Sequence, residues 1–161
     1  MLITCLRHAT AEPHGLSGED ANRGLIDKGR EQVRRVADFC QRNRLLPGVL
    51  YASPLLRAQQ TANLLQARLV DCPPVITVDW LSIRNSPATI LAELASLAEA
   101  GIDDVWLVGH EPDLSVLLGT LLNAPEDSLN IKKASLTRIE LSATKAGSGQ
   151  LLWSVPCALM H

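Results

Sequence analysis

Aromatic residues are scarce in this chain: three Trp, one Tyr and one Phe among 161 residues, or 3%. Its core must therefore be aliphatic, and the 47% of apolar residues are mostly Leu, Val, Ile and Ala. That length and composition suit one soluble domain over residues 1–161 with a substantial core. Cysteine is also sparse. Cys5, Cys40, Cys72 and Cys157 are far apart and form no C-x-x-C pair, which excludes a zinc ribbon, a thioredoxin motif and a disulfide scaffold. Positive charge has no excess: 15 basic residues face 17 acidic ones, a net −2, so no overall field draws the chain to nucleic acid. Apolar runs never approach about 18 residues, and Arg7 interrupts the first one at once, so neither a membrane span nor a secretory leader is expected. The expected compartment is the cytoplasm. The adjacent carboxylates Asp103 and Asp104 lack accompanying ligands, so neither a metal nor another cofactor is expected.

What is present is an alternation of short apolar runs with helical patterns. Leu2–Leu6 reads as a buried strand, and Ala9–Gly24, punctuated by Pro13, Gly15 and Gly18, as a loop. From Asp27 a helix follows, with Val33, Val36, Ala37 and Cys40 on one stripe. Val49–Ala52 is the second strand. Ser53-Pro54 then gives a helix-start signal, Ser as N-cap and Pro in the first turn, for a helix running to about Arg68. A third strand spans Val75–Val78, and a helix runs from Pro87 to near Gly101. Val105–Val108 is the fourth strand, and Gly109–Pro112 turns into a helix ending near Asn123. The remainder alternates around Gly147-Ser148-Gly149 as a terminal strand pair. This order predicts an α/β domain with a mostly parallel central sheet and helices on both faces.

Arg7-His8 closes the first strand, Arg57 follows the second, and His110 follows the fourth. Each has an ordinary explanation alone: a surface arginine, or a satisfied histidine in a turn. In a parallel sheet, however, carboxyl ends of strands share one edge, where open α/β sheets bind ligands. Two Arg forks suit a phosphoryl group, and a neutral imidazole is a competent nucleophile near pH 7. The set points to phosphoryl transfer without a metal.

Longer motifs sharpen this. Arg7-His8-Ala9 matches the pattern R-H-[GA]. Ser53–Ala62 matches S-P-x-x-R-A-x-x-T-A at every fixed position, and Gly109-His110 matches a G-H turn. Asp20, Arg23, Leu25 and Gly29 match D-x-x-R-x-L-x-x-x-G. In these motifs, over residues 1 to about 157, the chain resembles the histidine phosphatase (phosphoglycerate mutase-like) superfamily, and most of all its small, SixA-like phosphohistidine phosphatase branch. The resemblance implies a phosphoglycerate mutase-like fold, with His8 as the nucleophile and Arg7, Arg57 and His110 around the transferred group. A carboxylate in that inner ring would repel the substrate.

Two departures stand out. Larger members carry a Glu after the third strand that protonates the leaving oxygen, whereas here Trp80 takes that place and Asp79 is displaced by one. Asp79 is the candidate acid, against the simpler reading of a solvated strand-end carboxylate; Glu12 and Glu111 lie near the same crevice without a template. Ile26 stands where the family often has Thr, with Asp27 expected to take over the capping. An alkoxide leaves poorly without a proton donor, while a protonated imidazole leaves well. The expected activity is therefore hydrolysis of phosphohistidine on a partner protein, a phosphotransfer domain or phosphocarrier, by a monomeric enzyme. The alternatives are a phosphatase of small esters such as sugar phosphates, and a non-catalytic phosphate-binding adaptor. His14, Lys132 and Lys133 are secondary candidates for substrate or partner contact, against ordinary surface roles.

Overall fold

The computed structural model of the chain describes residues 1–16 and 18–161; Ser17, within the expected Ala9–Gly24 loop, lies outside them. Six strands form one sheet: β1 (Leu2–Arg7), β2 (Val49–Ala52), β3 (Val75–Thr77), β4 (Asp104–Gly109), β5 (Leu136–Leu141) and β6 (Gly149–Val155). Their order across the sheet is β3-β2-β4-β1-β5-β6. The first four are mutually parallel where they pair, and β5 and β6 add an antiparallel edge. The mostly parallel α/β fold is as the sequence predicts.

Four helices cover the sheet: α1 (Asp27–Arg42), α2 (Leu56–Arg68), α3 (Pro87–Glu99) and α4 (Asp113–Leu122). Alternation along β4 divides the core in two. Trp106 and Val108 face α1 and α2, while Val105 and Leu107 face α3 and α4. The stripe Val33, Val36, Ala37 and Cys40 is buried in the first layer. Leu114, Leu117, Leu118 and Leu121 of α4 are buried in the second, each burial contributing about 1.5–3 kcal/mol.

A side-chain cap sets the start of α3, whereas α1, α2 and α4 begin without one. Ser86 caps α3, its hydroxyl accepting from Thr89 N at 3.2 Å, with Pro87 at the first position. A cap, a helix start and a loop differ from expectation. Asp27 is the first residue of α1 and not its cap, which falls on Ile26 without a side-chain bond. Helix α2 starts at Leu56, three residues beyond Ser53. The expected loop after β1 also contains a turn of 3₁₀ helix (Asp20–Asn22) and a bridge between Ala11 and Leu25.

The topology explains where a site must lie. From β1 the chain crosses over β4 to β2, with α1 and α2 on one face; from β4 it runs the other way to β5, with α4 on the opposite face. Neighbouring strands β1 and β4 thus send their following segments apart. A crevice opens beyond their carboxyl ends.

Candidate active site

Three parallel strands deliver the chemistry to one edge. His8, Ser53 and His110 are the first residues after β1, β2 and β4. Backbone bonds His8 N to Gly109 O and Ser53 N to Val108 O, both 3.0 Å, carry the sheet register one step into the site. The His8 and His110 rings lie 5.1 Å apart between centroids. Arg57, in the first turn of α2, joins them, and its side chain is only 4% exposed. Together with Arg7 they line a cleft of about 700 Å³. The four residues singled out from the sequence are therefore brought together.

The imidazoles are held in defined roles. His8 Nδ1 lies 2.8 Å from the carbonyl of Ala9 and donates to it, because a carbonyl can only accept. Its Nε2 then carries the lone pair. Burial, followed by the charges of Arg57, Arg7 and Lys133, pushes the His8 pKa down to about 4. His110 Nε2 is 2.7 Å from Ser53 Oγ, and burial, then His8 and Arg57, bring its pKa to about 3. Both rings are neutral at pH 7.

Beside His8, several polar atoms have no protein partner. Arg7 Nε, Arg57 Nε and His110 Nδ1 are buried in this state. Unpaired buried donors cost stability unless a ligand engages them. The remaining atoms of these side chains are firmly placed: Arg7 donates to Ile131 O at 2.7 Å, and Arg57 to Asp20 O at 2.8 Å and Asp20 Oδ2 at 3.0 Å. Thr61, from the same motif as Arg57, accepts from Ala9 N at 3.1 Å and donates to Arg57 O at 2.7 Å. It couples the loop after β1 to α2.

Carboxylates are closer than the sequence led us to expect. Asp20 sits on Arg57 and also accepts from Arg23 Nε at 2.8 Å. Burial acts upward on its carboxyl, but Arg23 and Arg57 hold it below the ordinary aspartate value. It does not stand as a free charge against substrate; it anchors a guanidinium. Asp79, by contrast, opens the 3₁₀ turn Asp79–Leu81 and is not among the residues that line the cleft. Its neighbour Trp80 packs on Tyr51, ring centroids 5.4 Å apart. The carboxyls that line the cleft are Glu12, Asp20, Glu111 and Asp113.

Of these, Glu111 is half-buried next to His110. Ser115 Oγ donates to its Oε2 at 2.6 Å, and its buried Oε1 has no partner. Burial raises its pKa against the opposing pull of Ser115 and Arg7. In the sequence, the one signal for Glu111 is its place directly after a site histidine. Ser53 was missed as a site residue because it reads as a helix cap. His14 lines the rim, exposed, 3.1 Å from Asp20. Among the described residues there is no group of three or more His, Cys, Asp or Glu placed to hold a metal.

Residues 3–85 match the sequence profile of the histidine phosphatase superfamily (branch 1). The chain belongs to that superfamily. An uncharacterised protein of Picosynechococcus sp. is 32% identical over 146 residues, 90% of this chain and 88% of that protein. In fold, the chain is similar to the protein histidine phosphatase SixA complexed with tungstate (TM-score 0.88, 20% identity, all of both chains). It is similar also to the putative phosphohistidine phosphatase SixA from Agrobacterium tumefaciens (TM-score 0.79, 22% identity, 96% of this chain and 97% of that one). A putative alpha-ribazole-5'-P phosphatase from Escherichia coli shares the fold at TM-score 0.75 and 16% identity, over 98% of each chain. This fold therefore serves both protein and small-molecule phosphatases.

Proposed function

We propose that the protein is a phosphohistidine phosphatase that removes phosphoryl groups from histidine on a partner protein. One observation carries this reading: His8, with Nδ1 tied to Ala9 O and Nε2 free, stands among partnerless polar atoms of Arg7, Arg57 and His110. Nε2 attacks phosphorus, and the bond to the substrate nitrogen breaks as the leaving imidazole takes a proton. Water then attacks phospho-His8, releasing inorganic phosphate and restoring the neutral ring. Arg7, Arg57 and His110 stabilise the negative charge spread over the equatorial oxygens.

Glu111 is the proton donor in this reading. Burial keeps a proton on it more readily than on an ordinary glutamate, and the resulting carboxylate then serves as base toward the attacking water. A donor in the cleft removes one argument against ester substrates, and it favours phosphatase action on small esters as the second reading. Choice between the two rests on shape. Among the described residues only β3, a short turn and α3 lie between α2 and β4, which leaves little room there for a helical insertion over the cleft. The rim residue His14 is exposed. An open mouth admits a side chain presented on a protein and offers few contacts to a small metabolite.

The test is competitive turnover of a phosphohistidine-bearing phosphotransfer domain against a panel of small phosphate esters, with His8→Ala as control. The expected outcome is a preference for the phosphoprotein by several orders of magnitude, an acid-labile phosphoenzyme in the wild type, and no turnover by folded His8→Ala. Preference for one ester would establish the second reading. Retained activity in His8→Ala would refute the nucleophile, and inactivity on every substrate would favour the adaptor.

A further inference from the structure

A second groove, of about 590 Å³, adjoins the cleft; Arg7 and Lys133 line both. Its other polar walls are Thr10, Lys28, Gln32 and Lys132, and no carboxylate lines it. Gln32 Oε1 accepts from Thr10 N at 2.9 Å and Thr10 Oγ1 at 2.8 Å, so the wall nearest the nucleophile loop is ordered. Lys28 stands in the first turn of α1, where the helix dipole adds to its charge. Lys28, Lys132 and Lys133 are exposed. Among the described residues none of the three pairs with a carboxylate. Partial desolvation and then Arg7, Arg23 and Lys28 destabilise the Lys133 ammonium, so positive potential accumulates there. The cleft's carboxylates (Glu12, Asp20, Glu111, Asp113) do not extend into this groove. In a chain of net charge −2, such an uncompensated basic surface next to the nucleophile is a local specialisation.

We propose that this groove docks an acidic stretch of the partner protein, Asp- and Glu-rich sequence flanking the phosphorylated histidine. The proposal rests on the reading of the cleft as a phosphohistidine phosphatase site and adds the chemistry by which a partner is chosen. Lys28 and Lys132 pair with flanking carboxylates while the phosphohistidine side chain reaches His8. Complementary charge of this kind acts on encounter and selection more than on the chemical step. It is therefore read in kcat/KM and in its salt dependence.

The experiment uses synthetic phosphohistidine peptides with Asp/Glu flanks or neutral Ser/Gly flanks, and free phosphohistidine, on the wild type and on Lys28→Gln/Lys132→Gln. Lys133 and Arg7 are left native because they also line the cleft. In low salt the acidic peptide is expected to exceed the neutral one in kcat/KM by about tenfold in the wild type. That preference should vanish in the double variant and in high salt, with turnover of free phosphohistidine unchanged. Equal rates on both peptides, or a preference that survives in the variant, would overturn the proposal. Failure to hydrolyse any phosphohistidine compound would refute the reading of the cleft, and the groove is judged separately. An unphosphorylated Asp/Glu-rich peptide followed by fluorescence anisotropy should bind the wild type and not the variant. Equal or absent binding in both proteins, or tighter binding of a single-stranded oligonucleotide, would reject the acidic peptide as occupant.

Discussion

At the scale of single residues, one cleft shifts two imidazoles and one carboxyl in opposite directions. Burial does both, because it penalises whichever form is charged. It lowers His8 to about 4 and His110 to about 3, and it raises Glu111. If Glu111 donates the proton, kcat/KM rises as pH climbs through about 4, where His8 loses its proton, and falls again once Glu111 ionises above the ordinary glutamate value. The expected outcome for Glu111→Gln is a drop of about 10²-fold in kcat, with the alkaline limb abolished and the acid limb kept. Initial rates on a phosphohistidine peptide across pH check this. An unchanged alkaline limb would remove Glu111 from the mechanism. His8, Arg7, Arg57 and His110 were legible in the sequence because motif and strand end coincide. Glu111 was not, since a carboxyl acquires its role from burial against Arg7 and Ser115, which no local pattern encodes. Asp20 was legible as a motif position but not as the anchor of Arg57, a contact 37 residues distant.

At the scale of elements, the strands and the buried stripe of α1 followed from periodicity, and the misplaced start of α2 shows where local signals yield. Ser53-Pro54 has the chemistry of a helix cap, but Ser53 N is held by Val108 O in the sheet register and its hydroxyl by His110. The hydroxyl also accepts from Leu55 N at 3.3 Å, so Ser53 closes a local turn while it binds a partner 57 residues away, and the helix begins only after Pro54 and Leu55 have turned the chain. The placement of α1 is equally specific. A Cβ on Gly29 would come within 2.1 Å of Thr10 O, a backbone atom that cannot swing aside. Ile26 N already donates to that carbonyl at 3.2 Å. Gly29→Ala would gain up to about 1 kcal/mol of helix propensity, but over-packing against the loop behind His8 costs about 1–3 kcal/mol. The clash with fixed backbone decides the sign. The variant should melt several degrees lower and lose activity through displacement of Thr10 and its neighbours. Thermal unfolding and kcat measured together check this; an unchanged Tm would show that α1 can shift without cost.

At the scale of the whole molecule, a sheet that reverses its winding between β1 and β4 places both site histidines at the point where the two helical layers diverge. The same arrangement makes stability depend on pH. In the unfolded chain each imidazole titrates near its ordinary value of about 6.5, whereas folded His8 and His110 resist protonation down to about 4 and about 3. Between those limits the unfolded state binds more protons, so stability is complete above about pH 6.5 and declines as pH falls. The two sites together represent on the order of a few kcal/mol, a large part of the stability of a small domain. Glu111 and Asp113, whose pKa values are raised by burial, act in the opposite sense, because the folded state takes up their protons first on acidification. They blunt the loss at its lower end without reversing it, since their ordinary values lie below the start of the histidine window. Urea unfolding at pH 7.5, 6 and 5 should show a progressively lower midpoint, and the decline should flatten in His8→Asn/His110→Asn, which has no imidazole to charge in either state. A decline of the same steepness in that double variant would mean that the buried histidines are not its source. The ion pairs of Asp20 with Arg23 and Arg57 hold its carboxyl below the ordinary aspartate value and are lost only at more acidic pH than these.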